Sequence, residues 1–334
     1  MDISDDYARR FGGIARLYGE QGLQALRRAH VCVVGVGGVG SWAVEALARS
    51  GVGELTLIDL DNIAVSNVNR QLHALTPDFG KAKVTALHER IMQIQPECRV
   101  HEIEDFVDEQ NLPELFAARF DFVIDAIDQL SVKAAMANHF VRGKQPFVVS
   151  GGAGGQRLPQ LIECADLSQT THDPLLANLR YRLRRQYGLP REGKMRVPCV
   201  FSREQAVAPQ VQAACETGGA PQGLSCAGYG ASMLVTASFG LHCAAAAVEH
   251  IVQAAFASLV VQYFGSSGKG RVKNCAIPCS KSASSFATSL TSPALTALSC
   301  NKAKQSRIPC ATYSRSSVSV FSGQFFSGMT KSMV

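Results

Sequence analysis

From residue 251 onward the 334-residue chain contains no aspartate and no glutamate. That stretch carries six lysines and three arginines, a charge of +9 against +6 for the whole chain, which leaves −3 for the first 250 residues. The larger part is therefore not globally basic, and any contact with nucleic acid has to rest on a local patch. Paired CxxC cysteines are missing as well. The 11 cysteines are scattered and outline no disulfide framework, and Cys275, Cys279, Cys300 and Cys310 lack the usual spacing of zinc ligands. The opening "MDISDDYARR" has neither a basic start nor an apolar segment, so no signal peptide is read, the expected location is cytoplasmic and the cysteines are expected to be thiols. With 46% hydrophobic and 18% charged residues, the composition is that of a globular protein with ample core.

Residues 2–29 read as short helices punctuated at Tyr18-Gly19. Strands are expected at 31–34, 54–61, 99–106, 120–128 and 145–155, and helices at 41–50 and 80–96. Strands alternating with helices predict an α/β fold, a Rossmann-like doubly wound and mostly parallel sheet with ligands at the strand C-termini. Beyond it come a basic helix over 175–186 and a polar loop from 188 to about 224, together an insertion over 175–225. A long apolar helix, or two, follows over 229–261. Residues 231–248 form an uncharged run near the length of a membrane span, but one rich in alanine, serine and glycine, followed by Glu249 and His250. It is read as a buried or dimer-interface helix, with no stable membrane association. A catalytic domain over 1–264 is thus expected, with a tail over 265–334 in which serine and lysine dominate. That tail has the composition of a disordered segment, and its abrupt onset also fits a shifted reading frame.

"VCVVGVGGVGSW" (31–42) runs an apolar strand into Gly35, Gly37, Gly38 and Gly40, and a helix then begins. Glycines let backbone N–H groups approach phosphates, and a helix N-terminus favours an anion. Asp59, 19 residues after Gly40 at the end of the second strand, is placed for ribose hydroxyls. Both NAD and ATP satisfy these features. The following "SNVNRQ" supplies Asn67, Asn69, Arg70 and Gln71 just past that strand, and Lys83 opens the next helix. A triphosphate needs such cations, whereas NAD has no evident use for them. "DAID" ends a strand with Asp125 and Asp128, and a carboxylate there can hold Mg²⁺ beside phosphates. Taken singly, Arg70 is an ordinary loop cation, Lys83 a solvated helix residue and Asp128 an N-cap; their joint occurrence in this order favours ATP.

GxGGxG, Asp59, N-x-N-R-Q, G-x-x-K and D-x-x-D together resemble the ubiquitin-activating E1-like adenylating superfamily. "RFGGIARLYGEQGLQAL", "NRQLHAL", "VIDAID", "SGGAGGQ" and "VPCVFSREQAV" resemble its tRNA threonylcarbamoyladenosine dehydratase branch, over about residues 10–255. The resemblance implies an ATP site with Gly35, Gly37, Gly38 and Gly40 at the phosphates and Asp59 at the ribose. Asn67, Arg70, Gln71 and Lys83 would surround the triphosphate, with Asn69 and Asp125 also counted among the cofactor-binding residues, and Asp128 would hold Mg²⁺. The usual asparagine after the second acid is Gln129 here. The implied reaction activates the threonyl carboxylate as an adenylate; the neighbouring carbamoyl group closes a ring and expels AMP.

Cys226, in the glycine-bounded "GLSCAGYG", is a candidate for a thioester, with Cys199 a weaker one and Cys32 core packing. Arg70, Lys83, Asp128 and Cys226 are thus the candidate catalytic residues. A tRNA substrate fits Arg180, Arg182, Arg184, Arg185, Arg191, Lys194 and Arg196 with Tyr181 and Tyr187, a set that a solvated helix face would also explain. The family further implies a homodimer and admits sulfur-mobilising partners such as a cysteine desulfurase or sulfur acceptor. Rival readings are adenylation of a sulfur-carrier protein C-terminus, a NAD-dependent oxidoreductase and a silent nucleotide-binding scaffold.

Overall fold

β1 (His30–Val34) is five residues long and only its first is not fully buried. Val31 and Val33 face one side of the sheet, Cys32 and Val34 the other, and both sides are covered. A strand buried on both faces reads as a continuous apolar run, which is why "VCVV" is so legible. The computed structural model of the chain describes residues 4–207 and 229–265. Cys226, the polar loop from 208 on and the tail lie outside the described residues.

The strands β2 (Glu54–Ile58), β3 (Arg99–Ile103), β4 (Phe122–Asp125), β5 (Phe147–Ser150), β6 (Ile162–Asp166) and β7 (Pro198–Ser202) join β1 in one seven-stranded sheet. Its order is β3-β2-β1-β4-β5-β7-β6, parallel except for β6, which pairs antiparallel with β7. The chain winds outward from β1 in one direction and from β4 in the other, so the switch point lies between their carboxyl ends.

Helices α1 (Asp5–Arg28), α2 (Gly40–Arg49), α3 (Lys83–Ile94), α4 (Leu112–Leu115), α5 (Leu130–Gly143), α6 (Pro174–Gln186) and α7 (Met233–Gly265) surround the sheet. On one face Val44 and Leu47 of α2 and Phe239 and Ala247 of α7 pack with Val31, Val33, Leu55 and Leu57. On the other, Phe140 of α5 and Leu176, Leu179 and Leu183 of α6 pack with Cys32, Val34, Val123 and Val149. Each fully buried leucine or phenylalanine contributes about 1.5–3 kcal/mol of transfer free energy.

α1 is capped by Ser4, whose side chain accepts from the Tyr7 N–H, and it is broken at Gly19, where φ is 74°. The break falls at the expected punctuation. The Tyr7 hydroxyl donates to the Gly51 carbonyl at 2.6 Å and ties α1 to the end of α2.

Three expectations need correction. The helix read from residue 80 starts at Lys83, with Gly80 in the turn before it. The loop read from 188 contains β7, a core strand with four of its five residues buried. Its proline stands at the first strand position, where a missing N–H is tolerated, and its brevity hid it. β6 was not anticipated at all. The apolar run forms the first half of α7, one helix long and apolar enough to cross a membrane; 61% of its most apolar window is buried inside the protein, as in a core helix.

Candidate active site

The switch point is built around the turn after β1. Gly35 adopts φ +80° and its N–H donates to the Ile58 carbonyl at 2.8 Å. A Cβ on Gly35 would stand 2.8 Å from Ile127 Cγ2, so the β1 and β4 loops touch here. A Cβ on Gly40 would lie 1.9 Å from the Gly35 carbonyl oxygen; only glycine lets α2 start against the turn. Val39, the N-cap of α2, makes no side-chain cap bond. The stem of Arg70 and the amide of Gln71 lie over the turn, 3.3 Å and 3.6 Å from where Cβ atoms on Gly38 and Gly37 would be. Residues far apart in sequence thus converge on one anion-friendly turn.

The loop carrying Arg70 is fixed by its backbone. Trp42 Nε1 donates to the Arg70 carbonyl at 3.0 Å, and the Asn69 carbonyl accepts from the Met233 N–H at 3.0 Å. Asn69 Nδ2 donates to the Ala231 carbonyl at 2.8 Å, and its Oδ1 accepts from Arg70 Nη1 at 3.0 Å. Arg70 Nη1 also donates to the Ser66 carbonyl at 2.8 Å. Asn67 is buried and its Oδ1 accepts from the Ala64 N–H at 3.0 Å. The two asparagines therefore shape the loop and aim Arg70. Gln71 is buried with Oε1 lacking a hydrogen-bond partner among the described residues.

Asp59 sits at the carboxyl end of β2. Its Oδ2 accepts from the Val36 N–H at 2.8 Å, locking it to the glycine turn, and its Oδ1 accepts from the Asp61 N–H at 3.0 Å. Lys83, with a side chain 6% exposed, places Nζ 2.6 Å from Asp61 Oδ2 and 3.4 Å from Asp59 Oδ1. The Asp61 side chain is 74% exposed. The ammonium is thus held by one fixed carboxylate and one that can move aside for a more strongly charged anion. Asp61 was missed in the sequence, although it stands two residues after Asp59 in "LIDLD". His73 is buried nearby, and neither ring nitrogen has a hydrogen-bond partner among the described residues. Burial, with Lys83 adding to it, pulls its pKa down to about 4.

At the end of β4 the two acids differ. Asp125 is fully buried and Oδ1 accepts from Lys133 Nζ at 2.7 Å, the lysine being buried too. Burial raises the Asp125 pKa and the Lys133 ammonium opposes this. Asp125 therefore lies beneath the mouth, counter-ion to an internal lysine, and is not exposed to a ligand as the sequence reading had it. A carboxylate wholly removed from water needs such a partner. Asp128 is exposed, and the N-cap position of α5 belongs to Gln129.

The glycine loop after β5 is held by a residue the sequence reading passed over. Asp173 Oδ1 accepts from the Leu176 N–H at 3.0 Å, capping α6, and its Oδ2 accepts from the Gly152 N–H at 2.8 Å. An aspartate ahead of a helix-opening proline, in "HDPLL", was the available signal.

The basic helix is only partly a surface patch. Arg180 Nη1 donates to the carbonyls of Leu167 and Thr170, at 2.9 and 3.0 Å, so it belongs to the protein's interior architecture. Arg185, Arg191, Lys194 and Arg196 are exposed, and the Arg185 guanidinium lies over the exposed Tyr181 ring. Cys199 is buried and burial drives its thiol pKa well up, which argues against a nucleophile.

With this geometry in hand, similarity to known proteins is informative. Residues 7–283 match the ThiF family. The tRNA threonylcarbamoyladenosine dehydratase of Escherichia coli K12 is 49% identical over 258 residues, spanning 75% of this chain and 95% of that protein. The protein of the same name from Haemophilus influenzae is 44% identical over 252 residues, again 75% and 95%. The crystal structure of the E. coli tRNA N6-threonylcarbamoyladenosine dehydratase in complex with ATP covers 78% of this chain and 100% of its own, with a TM-score of 0.69 at 46% identity.

Proposed function

The chain belongs to the ThiF family, and from that premise we propose that it is an ATP-dependent tRNA threonylcarbamoyladenosine dehydratase. The observation that carries the reading is the convergence of Arg70, Lys83 and the Gly35–Gly40 turn at the switch point of the sheet. Its setting is the cytoplasm, where tRNA is.

The substrate's threonyl carboxylate is a poor electrophile. Its oxygen attacks the α-phosphorus of ATP, the bond to the β-phosphate breaks, and pyrophosphate leaves. The carbamoyl nitrogen then attacks the activated carbonyl carbon, loses its proton, and AMP departs with one of the original carboxylate oxygens. The net change in the nucleoside is loss of one water. Ring closure is intramolecular, and proximity lowers its barrier.

The chain's own residues have separable tasks. The backbone of the glycine turn receives phosphate oxygens, and Asp59 accepts ribose hydroxyls beside its bond to Val36. Lys83 leaves Asp61 for the triphosphate, and Arg70 lies over the turn to offset charge that builds as pyrophosphate departs. Asp128, exposed at the β4 end, would hold Mg²⁺; Asp125 is buried beneath it against Lys133. The exposed cations after α6 and the Tyr181 ring offer a tRNA contact surface. Met233, Leu234, Leu241 and Phe256 leave exposed apolar surface on α7 that a homodimer would cover. The half-buried Arg70 over the turn and the buried Lys83 beside Asp59 weigh against the NAD alternative, as does the ATP complex of the E. coli enzyme.

The test is to incubate purified protein with ATP and tRNA carrying N6-threonylcarbamoyladenosine, separating AMP from ADP and weighing the nucleoside. AMP release with loss of one water is expected. Pyrophosphate exchange that depends on a small protein acceptor, with this tRNA left unchanged, would move the protein to the sulfur-carrier activators.

A further inference from the structure

The amino edge of the sheet, at the far end of the strands from the nucleotide loops, carries a second constellation. His30 opens β1 and Glu54 opens β2, and the two are direct register partners. Glu54 is likewise opposite Arg99, and Thr56 is opposite His101 on β3. Period-two alternation puts Glu54, Thr56, Arg99 and His101 on one face. We propose that His30, Glu54 and His101 form a binding site for a divalent transition-metal ion of the Zn²⁺ class, clipping β1, β2 and β3 together.

The geometry suits such an ion. One ligand atom from each residue lies within 4.8 Å of the other two. Glu54 Oε1 is 2.9 Å from His101 Nε2 and 3.6 Å from His30 Nδ1. Ligands on a tetrahedral ion at bond lengths of about 2.0–2.2 Å stand about 3.3–3.5 Å apart, so both of these contacts lie within about half an ångström of that spacing. Arg99 pairs with the other oxygen of Glu54, leaving Oε1 to point at the imidazoles.

The surroundings orient the ligands as metal sites require. His30 Nε2 lies 2.8 Å from Thr56 Oγ1, so with an ion on Nδ1 the ring proton would sit on Nε2 and be donated to that hydroxyl. The ring is also held edge-on by Phe120, with centroids 4.7 Å apart. The His101 side chain is half exposed, which gives an ion its entry path and leaves a fourth position for water. None of these three residues takes part in the nucleotide chemistry proposed above.

The experiment is a Co²⁺ titration of the full, reduced chain, read by optical absorption and by melting temperature. Co²⁺ reports its ligands, because thiolate coordination adds intense charge-transfer bands that imidazole and carboxylate do not. One Co²⁺ per chain is expected, without thiolate bands, raising the melting temperature. His101→Ala and Glu54→Gln, at half-exposed and partly exposed positions, should each weaken binding at least about tenfold and remove the metal-dependent rise in melting temperature. The proposal is overturned by the absence of saturable binding, by a thiolate spectrum, or by unchanged affinity in both variants.

Discussion

Two lysine–aspartate pairs lie at the carboxyl edge of the same sheet, and they are built for opposite ends. Lys133 and Asp125 are both removed from water, 2.7 Å apart. Lys83 is just as buried, but one of its two carboxylates, Asp61, is largely solvated. A fully buried pair is costly to break and fixes a position. A pair with one wet partner is held loosely, since an exposed ion pair is worth about 0–1 kcal/mol. The first pair sets the floor beneath the β4 loop, and the second keeps an ammonium ready for a triphosphate. Sequence alone does not separate the two lysines; burial of the partner does.

The largest effect expected from breaking this contrast is on Lys133. Lys133→Ala leaves Asp125 buried and uncompensated and should cost about 3–5 kcal/mol, read from denaturant midpoints. Adding Asp125→Asn to that variant should recover part of the loss. Lys83→Ala should instead leave the melting temperature close to wild type while lowering AMP formation about 10²–10³-fold. Arg70→Ala should behave like Lys83→Ala. Wild-type turnover in either would remove the ATP site from this loop.

The next effect is pH dependence from His73, which stands between the two classes, buried like Lys133 yet beside Lys83. Its pKa is near 6.5 when unfolded and falls to about 4 in the fold. Between those values the unfolded chain binds a proton that the native one does not. Its contribution is therefore complete above pH 6.5 and is lost as pH falls toward 4, by up to about 3 kcal/mol. His73→Gln should flatten that part of the stability profile, and an unchanged slope would mean the ring is not buried neutral. Asp61→Asn should show the smallest change in stability, within about 1 kcal/mol, because its carboxylate is solvated. Its effect belongs in the KM for ATP.

Much of the carboxyl edge was legible because each part has its own chemical signature. Gly35 and Gly40 are required by a positive φ and by a backbone approach, and no other residue serves. Asp59, Arg70 and Lys83 follow at strand and helix ends. What stayed hidden depends on distant partners. Asp125 reads as a cofactor-binding residue until Lys133, eight residues on and fully buried, is seen beside it. Arg180 reads as part of a basic face until its bonds to Leu167 and Thr170 are traced. β7 escaped because five residues opening on proline, set in a polar stretch, carry too little periodicity. His30, Glu54 and His101 escaped for a related reason: three strand ends meet only once the register is known.

The central claim is that a carboxylate of the nucleoside attacks the α-phosphorus of ATP at this site. It is tested most directly with tRNA whose threonyl carboxylate carries ¹⁸O in both oxygens, followed by mass analysis of the nucleotide released. The account predicts AMP containing one ¹⁸O atom and a cyclised nucleoside retaining the other. Unlabelled AMP, or ADP with ¹⁸O in free phosphate, would contradict it.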